Sequence, residues 1–179
     1  MIDDIEKILF SKEEISQRVE ELGKKISIDY ENKNLIVIGL LKGSLFFMSD
    51  ILRKIKNNCK FDFMSVSSYY GETKSTGNVK IIKDIGINIE DADVLIIEDI
   101  IDTGRTLNCV YDLLKKRNPL SLKICTLLDK PTARIVDINA DYVGFKISDE
   151  FIVGYGLDYK EKYRNLPFIG TLKSYVYHN

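Results

Sequence analysis

The sequence predicts an α/β fold with a central, mostly parallel sheet flanked by helices. Short apolar runs of strand length alternate along the chain with helix patterns, which is typical of such folds. The run at residues 35–41, LIVIGLL, is apolar throughout, as expected for a parallel strand covered on both faces. A length of 179 residues suits one domain, and no repeat or linker divides it. We therefore treat residues 1–179 as a single domain.

The first elements are predicted from a capping motif and from apolar spacing. Ser11 and Glu14 form the S-x-x-E pattern of a capping box, which indicates a helix over residues 11–26. Apolar residues follow at helical spacing, at Ile15, Val19, Leu22 and Ile26. The strand 35–41 comes next, Lys-Gly-Ser interrupts the pattern, and a second helix is predicted over residues 45–55.

The remaining elements continue the alternation of strands and helices. A polar, glycine-bearing stretch, residues 68–78, is predicted to be a loop. A helix is predicted over residues 106–116. Strands are predicted at residues 61–67, 79–83, 94–97 and 122–128, with short β structure at residues 142–145, 152–155 and 168–172.

Composition and charge exclude several classes of function. The net charge of −1 leaves no broad basic face for nucleic acid. No segment is apolar for long enough to cross a bilayer, and the N-terminus lacks the basic residues of a signal peptide. The cysteines are widely spaced, so we expect reduced thiols in a cytoplasmic protein: Cys59, Cys109 and Cys125. The only histidine is His178, which argues against histidine-based catalysis or a zinc site.

An acidic turn after an apolar strand is the most informative stretch. Residues 94–107 read VLIIEDIIDTGRTL, and the strand is predicted to end at Ile97, so that Glu98 and Asp99 lie at its carboxyl end. Ligands bind beyond the carboxyl ends of strands in such sheets. The turn 102–106 leads into a helix N-terminus, which suits a phosphate. The acids suit vicinal hydroxyls or Mg²⁺. The stretch therefore predicts a site for a ribose 5-phosphate.

Three other interpretations of the acidic turn compete with this one. The acids could cap an exposed loop, because Asp is a preferred residue before a helix. The strand could be a Walker-B strand, but the chain has no G-x-x-x-x-G-K-[ST] loop. A dinucleotide site requires G-x-G-x-x-G, whereas the sequence at residues 154–156 stops after the first two glycines.

The strand followed by Glu-Asp and then Asp-Thr-Gly-x-Thr resembles the signature of the type I phosphoribosyltransferases. These enzymes move the phosphoribosyl group of 5-phosphoribosyl 1-pyrophosphate (PRPP) onto a nitrogenous base. The version Glu-Asp-Ile-Ile-Asp-Thr-Gly is similar to the branch that acts on hypoxanthine and guanine. The resemblance covers residues 35–172. It implies the type I phosphoribosyltransferase fold, with a lid at about residues 68–79 and a hood from the N-terminal segment and about residues 142–179.

The resemblance also implies a role for each residue of the signature. Glu98 and Asp99 are expected to hold the ribose hydroxyls and Mg²⁺, and Asp158 is expected to be a further Mg²⁺ ligand. Asp102 is expected to face N7 of the purine and to act as the general base. The residues expected to bind the 5-phosphate are Asp102, Thr103, Gly104, Arg105 and Thr106.

Four accessory elements carry further implied roles. Taken alone they would be an ordinary turn, a polar loop, a solvated lysine and a core aromatic residue. The resemblance assigns Lys42, Gly43 and Arg164 to pyrophosphate, and it implies a strained or cis peptide bond before Lys42. Ser68 and Tyr69 would belong to the lid, although Tyr70 leaves open which ring closes the site. The residues expected to contact the purine are Lys130 at the 6-oxo group, Phe151 by stacking, Ile152 through its backbone, and Asp158.

These elements together imply purine salvage: Mg²⁺-dependent transfer from PRPP to N9 of hypoxanthine or guanine, giving IMP or GMP and pyrophosphate. A homodimer or homotetramer is expected, with no nucleic-acid or membrane partner. Three alternatives stay open. One is a related transferase for uracil, orotate or adenine, and another is a regulator that keeps the fold and binds RNA or DNA. The third is a structural protein without activity.

Overall fold

The fold is built on one large and one small sheet. A computed structural model describes residues 1–68 and 79–177. The helices are α1 (Lys12–Asp29), α2 (Leu45–Leu52), α3 (Arg105–Lys115) and α4 (Ser174–Tyr177). The strands are β1 (Ile5–Phe10), β2 (Leu35–Leu41), β3 (Lys60–Ser68), β4 (Val79–Lys83), β5 (Asp93–Ile101), β6 (Ser121–Asp129), β7 (Tyr142–Lys146), β8 (Ile152–Val153) and β9 (Ile169–Leu172).

The large sheet has the order β4-β3-β2-β5-β6-β7 and is parallel except for the β3–β4 pair. Each face carries its own apolar core. Because side chains alternate along a strand, Leu95 and Ile97 of β5 join the core under α1 and α2, whereas Val94 and Ile96 join the core under α3. The predicted mostly parallel, helix-covered sheet is confirmed.

The strand order reverses between β2 and β5, the two central strands of the large sheet. From β2 it crosses through α2 to β3 on one side, and from β5 it crosses through α3 to β6 on the other. Such a switch point leaves a crevice at the carboxyl ends of the two central strands, where ligands of open α/β sheets bind. The acidic turn follows β5, and Lys42 and Gly43 follow β2. Both lie at this crevice.

The predicted bounds of some elements were wrong. Strand β5 does not end at Ile97 but runs to Ile101, because parallel pairing with β6 continues to the pair Ile101–Asp129. Ser68, predicted to open the polar loop, instead ends β3 and pairs with Val79, and the rest of the predicted loop lies outside the described residues. Helix α2 ends at Leu52, although Ile55 still packs in the core and so keeps the apolar spacing of a longer helix.

The small sheet has the order β1-β9-β8 and is antiparallel. Strand β1 was not predicted, since three of its six residues are exposed and its partner β9 lies near the other end of the chain. Strand β7, at the start of the range 142–179, pairs with β6 in the large sheet. Whether the small sheet forms a hood over a ligand stays a prediction. Among the described residues, no helix is long and apolar enough to cross a membrane.

Candidate functional site

A cavity of about 280 Å³ opens where β2 and β5 separate. Their pairing ends at Gly39 and Ile97, one residue before the acids begin, whereas β5 stays paired with β6. Glu98 therefore faces an open edge rather than a neighbouring strand. The cavity is lined by Leu40, Leu41, Val66, Glu98, Ile100, Ile101, Asp102, Gly104, Thr106 and Leu107.

The two adjacent acids of β5 are held in an environment that disfavours their charge. Burial raises the pKa of Glu98 well above its ordinary value, and the neighbouring Asp99 raises it further. Burial also raises the pKa of Asp99 to about 6, although the N–H of Ile100 donates to its Oδ1 at 2.9 Å and opposes the shift. Oε2 of Glu98 is buried and has no hydrogen-bond partner in the described part of the chain. An added cation or hydroxyl donor would satisfy this oxygen.

Gly43 lets the loop after β2 approach the acids. A Cβ at this position would lie 1.7 Å from Oδ2 of Asp99, so no larger side chain fits without displacing the carboxylate. A Cβ at Gly156 would in turn lie 1.9 Å from the carbonyl oxygen of Gly43. The loops that carry the predicted pyrophosphate and purine residues thus meet at Gly43, beside Asp99. The Leu41–Lys42 peptide bond in this loop is cis, as expected.

The turn after β5 leads into α3 as predicted, and the helix begins at Arg105. Gly104 has a φ of +78°, a left-handed conformation that glycine adopts without a steric cost. A Cβ there would also lie 2.6 Å from Cγ2 of Ile138. The N-cap residue of α3, Gly104, makes no side-chain cap hydrogen bond, and Oγ1 of Thr103 accepts the N–H of Arg105 at a long distance of 3.5 Å. The N-terminus opens on the cavity through Gly104 and Thr106, which suits an anion.

Arg134 supports the turn from beneath, and sequence reasoning missed it. Its Nε donates to the carbonyl oxygen of Asp102 at 3.0 Å, and its other nitrogens contact the carbonyl oxygens of Ile101 and Ile138. The guanidinium also pairs with Asp129 at the end of β6. Both side chains of this pair are only 15% exposed. No sequence motif indicates the contacts between Arg134 and the turn, because Asp102 and Ile101 lie 32 and 33 residues earlier in the chain.

Replacing Arg134 should destabilise the fold through Asp129. We expect Arg134→Met to lower the free energy of unfolding by roughly 2–4 kcal/mol, because the largely buried Asp129 side chain loses its ion-pair partner. Urea unfolding measures this loss. Arg53→Met is the matched control, since Arg53 pairs with Asp50 at the surface and is 69% exposed, so it should cost less than about 1 kcal/mol. Equal losses in the two variants would contradict the role of Arg134.

Arg164 and Lys42, predicted to bind pyrophosphate, are brought to the same carboxylate. Glu161 contacts Nζ of Lys42 with Oε2 at 2.9 Å and Nη2 of Arg164 with Oε1 at 3.2 Å. The Lys42 ammonium is the main cause of the lowered pKa of Glu161. Arg164 also pairs with Asp158 at 2.8 Å and donates to the carbonyl oxygen of Gly156. Its Nε is buried and has no partner among the described residues.

The predicted purine residues lie beside the turn. The N–H of Lys130 donates to the carbonyl oxygen of Ile101 at 2.9 Å, so Lys130 follows β6 next to the turn after β5. Its Nζ donates to the carbonyl oxygen of Glu150 at 2.9 Å, directly before Phe151. Phe151 is 45% exposed and meets Tyr159 edge to face at 5.4 Å, whereas Ile152 is buried in β8. An exposed ring beside a lysine can stack on a flat polar heterocycle.

The acids fit a divalent cation to different degrees. The described part of the chain holds no group of three or more metal-ligating side chains. Glu98 and Asp99 fit Mg²⁺, because one buried oxygen of Glu98 lacks a partner within residues 1–68 and 79–177, and Mg²⁺ is often held by one or two carboxylates together with substrate oxygens. Both oxygens of Asp158 are engaged, by Arg164 and by the N–H of Glu161. Asp158 therefore fits a cation less directly.

Two of the predicted site residues were assigned to a lid. Tyr69 lies outside the described residues, as does Tyr70, and only the backbone of Ser68 is described, at the end of β3. The other predicted residues gather around the ends of β2, β5 and β6. Glu161 is the second residue that sequence reasoning missed. The sequence offered one indication of its role, namely its position between the predicted site residues Asp158 and Arg164.

Comparison with known families places most of the chain in one of them. Residues 7–160 match the model of the phosphoribosyl transferase domain. This range includes β2, β5, β6 and the turn after β5, so it contains the whole cavity described above.

Known relatives match over the full length of the chain. The chain is 55% identical to the hypoxanthine-guanine phosphoribosyltransferase of Staphylococcus aureus over 179 residues, which is 100% of both chains. A crystal structure of a hypoxanthine phosphoribosyltransferase from Staphylococcus aureus matches with a TM-score of 0.97 and 55% identity, covering 100% of this chain and 97% of that one. A Bacillus anthracis hypoxanthine-guanine phosphoribosyltransferase, with a HEPES molecule in its active site, matches at a TM-score of 0.91 and 50% identity over 94% of this chain and 99% of that one.

Proposed function

The chain belongs to the phosphoribosyltransferase family, in its hypoxanthine-guanine branch, and from this premise we propose that PRPP binds in the cavity between β2 and β5. The enzyme acts in purine salvage by transferring the phosphoribosyl group of PRPP to hypoxanthine or guanine. The observation that carries the location is the buried Oε2 of Glu98, which has no partner in the described part of the chain and lies on the same cavity as the N-terminus of α3. One end of the cavity suits ribose hydroxyls and the other suits the 5-phosphate.

The turn and the acids divide the binding of PRPP between them. The 5-phosphate lies on residues 102–106, where the N-terminus of α3 offers N–H groups and favourable dipole charge. Glu98 and Asp99 accept hydrogen bonds from the ribose hydroxyls. Lys42 and Arg164 hold the pyrophosphate through charge-assisted hydrogen bonds, and Gly43 admits it beside Asp99. The reacting anomeric carbon is thereby held in one orientation.

The purine enters next to the turn. It stacks on Phe151, the backbone of Ile152 contacts its edge, and Nζ of Lys130 donates to the 6-oxo group, which selects hypoxanthine and guanine over adenine. Asp102 is exposed at the cavity and takes the proton from N7 as N9 attacks the anomeric carbon. Arg134 holds the carbonyl oxygen of Asp102, so it positions this base without touching the substrate. Ser68 and Tyr69 close over the site and exclude water.

Mg²⁺ is the cofactor of this proposal. Glu98 and Asp99 would hold it, and Asp158 would contribute once its pairing with Arg164 is exchanged for pyrophosphate. Bound Mg²⁺ offsets the charge of the leaving pyrophosphate. The two residues of β5 supply the negative charge that attracts it, at the cost of mutual repulsion in its absence.

A product assay with PRPP, Mg²⁺ and each base in turn tests the function. We expect IMP from hypoxanthine and GMP from guanine, with no product from adenine, uracil or orotate. Product from one of these last bases alone would favour a different transferase. Strongly salt-dependent binding of RNA or DNA, without any product, would favour a regulator that keeps the fold.

Removing the amine of Lys130 should affect the purine and not PRPP. We expect Lys130→Ala to raise the KM for hypoxanthine at least about tenfold, because a charged hydrogen bond to the 6-oxo group is lost. Steady-state kinetics with each substrate varied in turn measures the effect. The exposed Lys146→Ala serves as control, and an unchanged KM for hypoxanthine in Lys130→Ala would contradict the assignment.

The proposal also covers the cellular location and the oligomeric state of the enzyme. A cytoplasmic location is supported by the cysteines, which are thiols in the structure. We propose a homodimer or homotetramer, and light scattering coupled to gel filtration distinguishes these from a monomer.

A further inference from the structure

A carboxylate lies between the two cations that the proposed function assigns to pyrophosphate. One oxygen of Glu161 is 2.9 Å from Nζ of Lys42 and the other is 3.2 Å from Nη2 of Arg164. A carboxylate and a phosphoryl group both present paired oxygens to such donors. Resting on the proposed function, we propose that Glu161 occupies the pyrophosphate cations in the ligand-free enzyme and is displaced by pyrophosphate. Glu161 thereby sets the affinity for pyrophosphate and the rate of its release.

The turn that carries Glu161 is shaped to point it at Lys42. Glu161 has a φ of +63° and Lys160 a φ of +50°, conformations that side-chain-bearing residues rarely adopt. The N–H of Glu161 donates to Oδ2 of Asp158 at 2.8 Å. Tyr159 and Lys162 exchange hydrogen bonds on either side of it. These contacts hold Glu161 in place from its backbone, independently of its contact with Lys42.

The ion pair between Glu161 and Lys42 is exposed enough for a ligand to replace Glu161. The side chains of Lys42 and Glu161 are both 65% exposed, and Arg164 is 24% exposed. Ion pairs of this kind are weak, so they compete with pyrophosphate without excluding it. The buried Nε of Arg164, which lacks a partner in residues 1–68 and 79–177, is a further donor for the incoming anion. Glu161 therefore keeps the cations together until the ligand arrives, and it returns to them as the product leaves.

Removing the charge of Glu161 should strengthen the binding of pyrophosphate. We expect Glu161→Gln to bind Mg²⁺–pyrophosphate roughly 2- to 5-fold more tightly, as follows from losing a weak competing ion pair. The dissociation rate should fall by a similar factor, since changes in affinity are mostly changes in dissociation. The KM for PRPP should fall as well, and the KM for hypoxanthine should not change. Calorimetry and stopped-flow displacement measure the two binding quantities.

Three variants separate the contact from a general effect of charge. Glu90→Gln removes the same charge from an exposed position before β5, at the amino ends of the parallel strands and away from the cavity. This variant should bind pyrophosphate as the wild type does. Glu161→Asp keeps the charge but is one methylene shorter and cannot bridge both cations, so it should also bind more tightly. In a Lys42→Met background, which has lost one bridged cation, the gain from Glu161→Gln should shrink.

The outcomes distinguish this inference from the proposed function. Equal pyrophosphate affinity in wild type and Glu161→Gln, with both folded by circular dichroism, overturns the inference alone. Wild-type affinity in Glu161→Asp overturns it too, because charge without contact would then suffice. A wild-type enzyme that neither binds pyrophosphate nor forms IMP overturns the proposed function and the inference with it.

Discussion

Asp102→Asn is expected to lower kcat by roughly 10²–10⁴-fold, which is the usual contribution of a general base. The side chain is exposed at the cavity, and its Oδ1 accepts the N–H of Thr103 at 2.6 Å. Asparagine preserves this size and hydrogen bond but cannot take the proton from N7. The KM for PRPP should change little, because the backbone of the turn holds the 5-phosphate. Steady-state kinetics at saturating PRPP and hypoxanthine measures the loss.

The control for Asp102→Asn addresses the structure of the turn. Thermal unfolding should show the variant as stable as the wild type, since Arg134 contacts the carbonyl oxygen at position 102 and not its side chain. An unchanged kcat would rule out Asp102 as the base. A lost kcat together with a large loss of stability would indicate instead that the turn had been disrupted.

Glu98→Gln is expected to make the ligand-free protein more stable and the enzyme less active. A buried carboxylate oxygen without a partner is costly, and Asp99 lies beside it. Replacing the charge with an amide that can donate to Asp99 should raise the free energy of unfolding at pH 8 by roughly 1–3 kcal/mol. The loss of charged hydrogen bonds to ribose, and of a Mg²⁺ ligand, should lower kcat/KM for PRPP roughly 10- to 100-fold.

The raised pKa of Glu98 determines how the stability gain of Glu98→Gln should vary with pH. Because the folded protein raises the pKa of Glu98, the folded state binds its proton at a pH where the unfolded chain has lost it. The destabilisation caused by ionised Glu98 is therefore absent below pH 4.5, its ordinary pKa, and it grows as the pH rises towards the raised pKa. The stability gain of Glu98→Gln should shrink as the pH falls from 8 towards 4.5. A variant that is less stable than wild type at pH 8 would contradict the unpaired carboxylate.

Much of the fold could be predicted from local patterns. The capping box of Ser11 and Glu14 forms as expected, and β2 has the predicted bounds, 35–41. These elements are determined by residues within a few positions of one another, so the sequence displays them directly. Strand β1 is different, because its exposed residues give no clear alternation and its pairing with β9 spans almost the whole chain.

The residues of the candidate site likewise fall into those that the sequence predicts and those that it does not. The residues of the signature at 98–106 are adjacent in the chain, and their spacing alone indicated a phosphate next to a sugar or a metal. Arg134 and Glu161 carry no comparable pattern. Each acts on atoms that lie far away in sequence, the carbonyl oxygen of Asp102 in one case and Nζ of Lys42 in the other.

The sequence by itself determined the class of fold, the strand before the acidic turn, and the residues of the proposed phosphate site. Tertiary structure alone decided how far β5 continues, that Oε2 of Glu98 is buried with no partner among the described residues, and that Glu161 lies between the proposed pyrophosphate cations. The physical reason is that propensity and capping act within a few residues, whereas burial and charge pairing depend on which distant segments the sheet brings together.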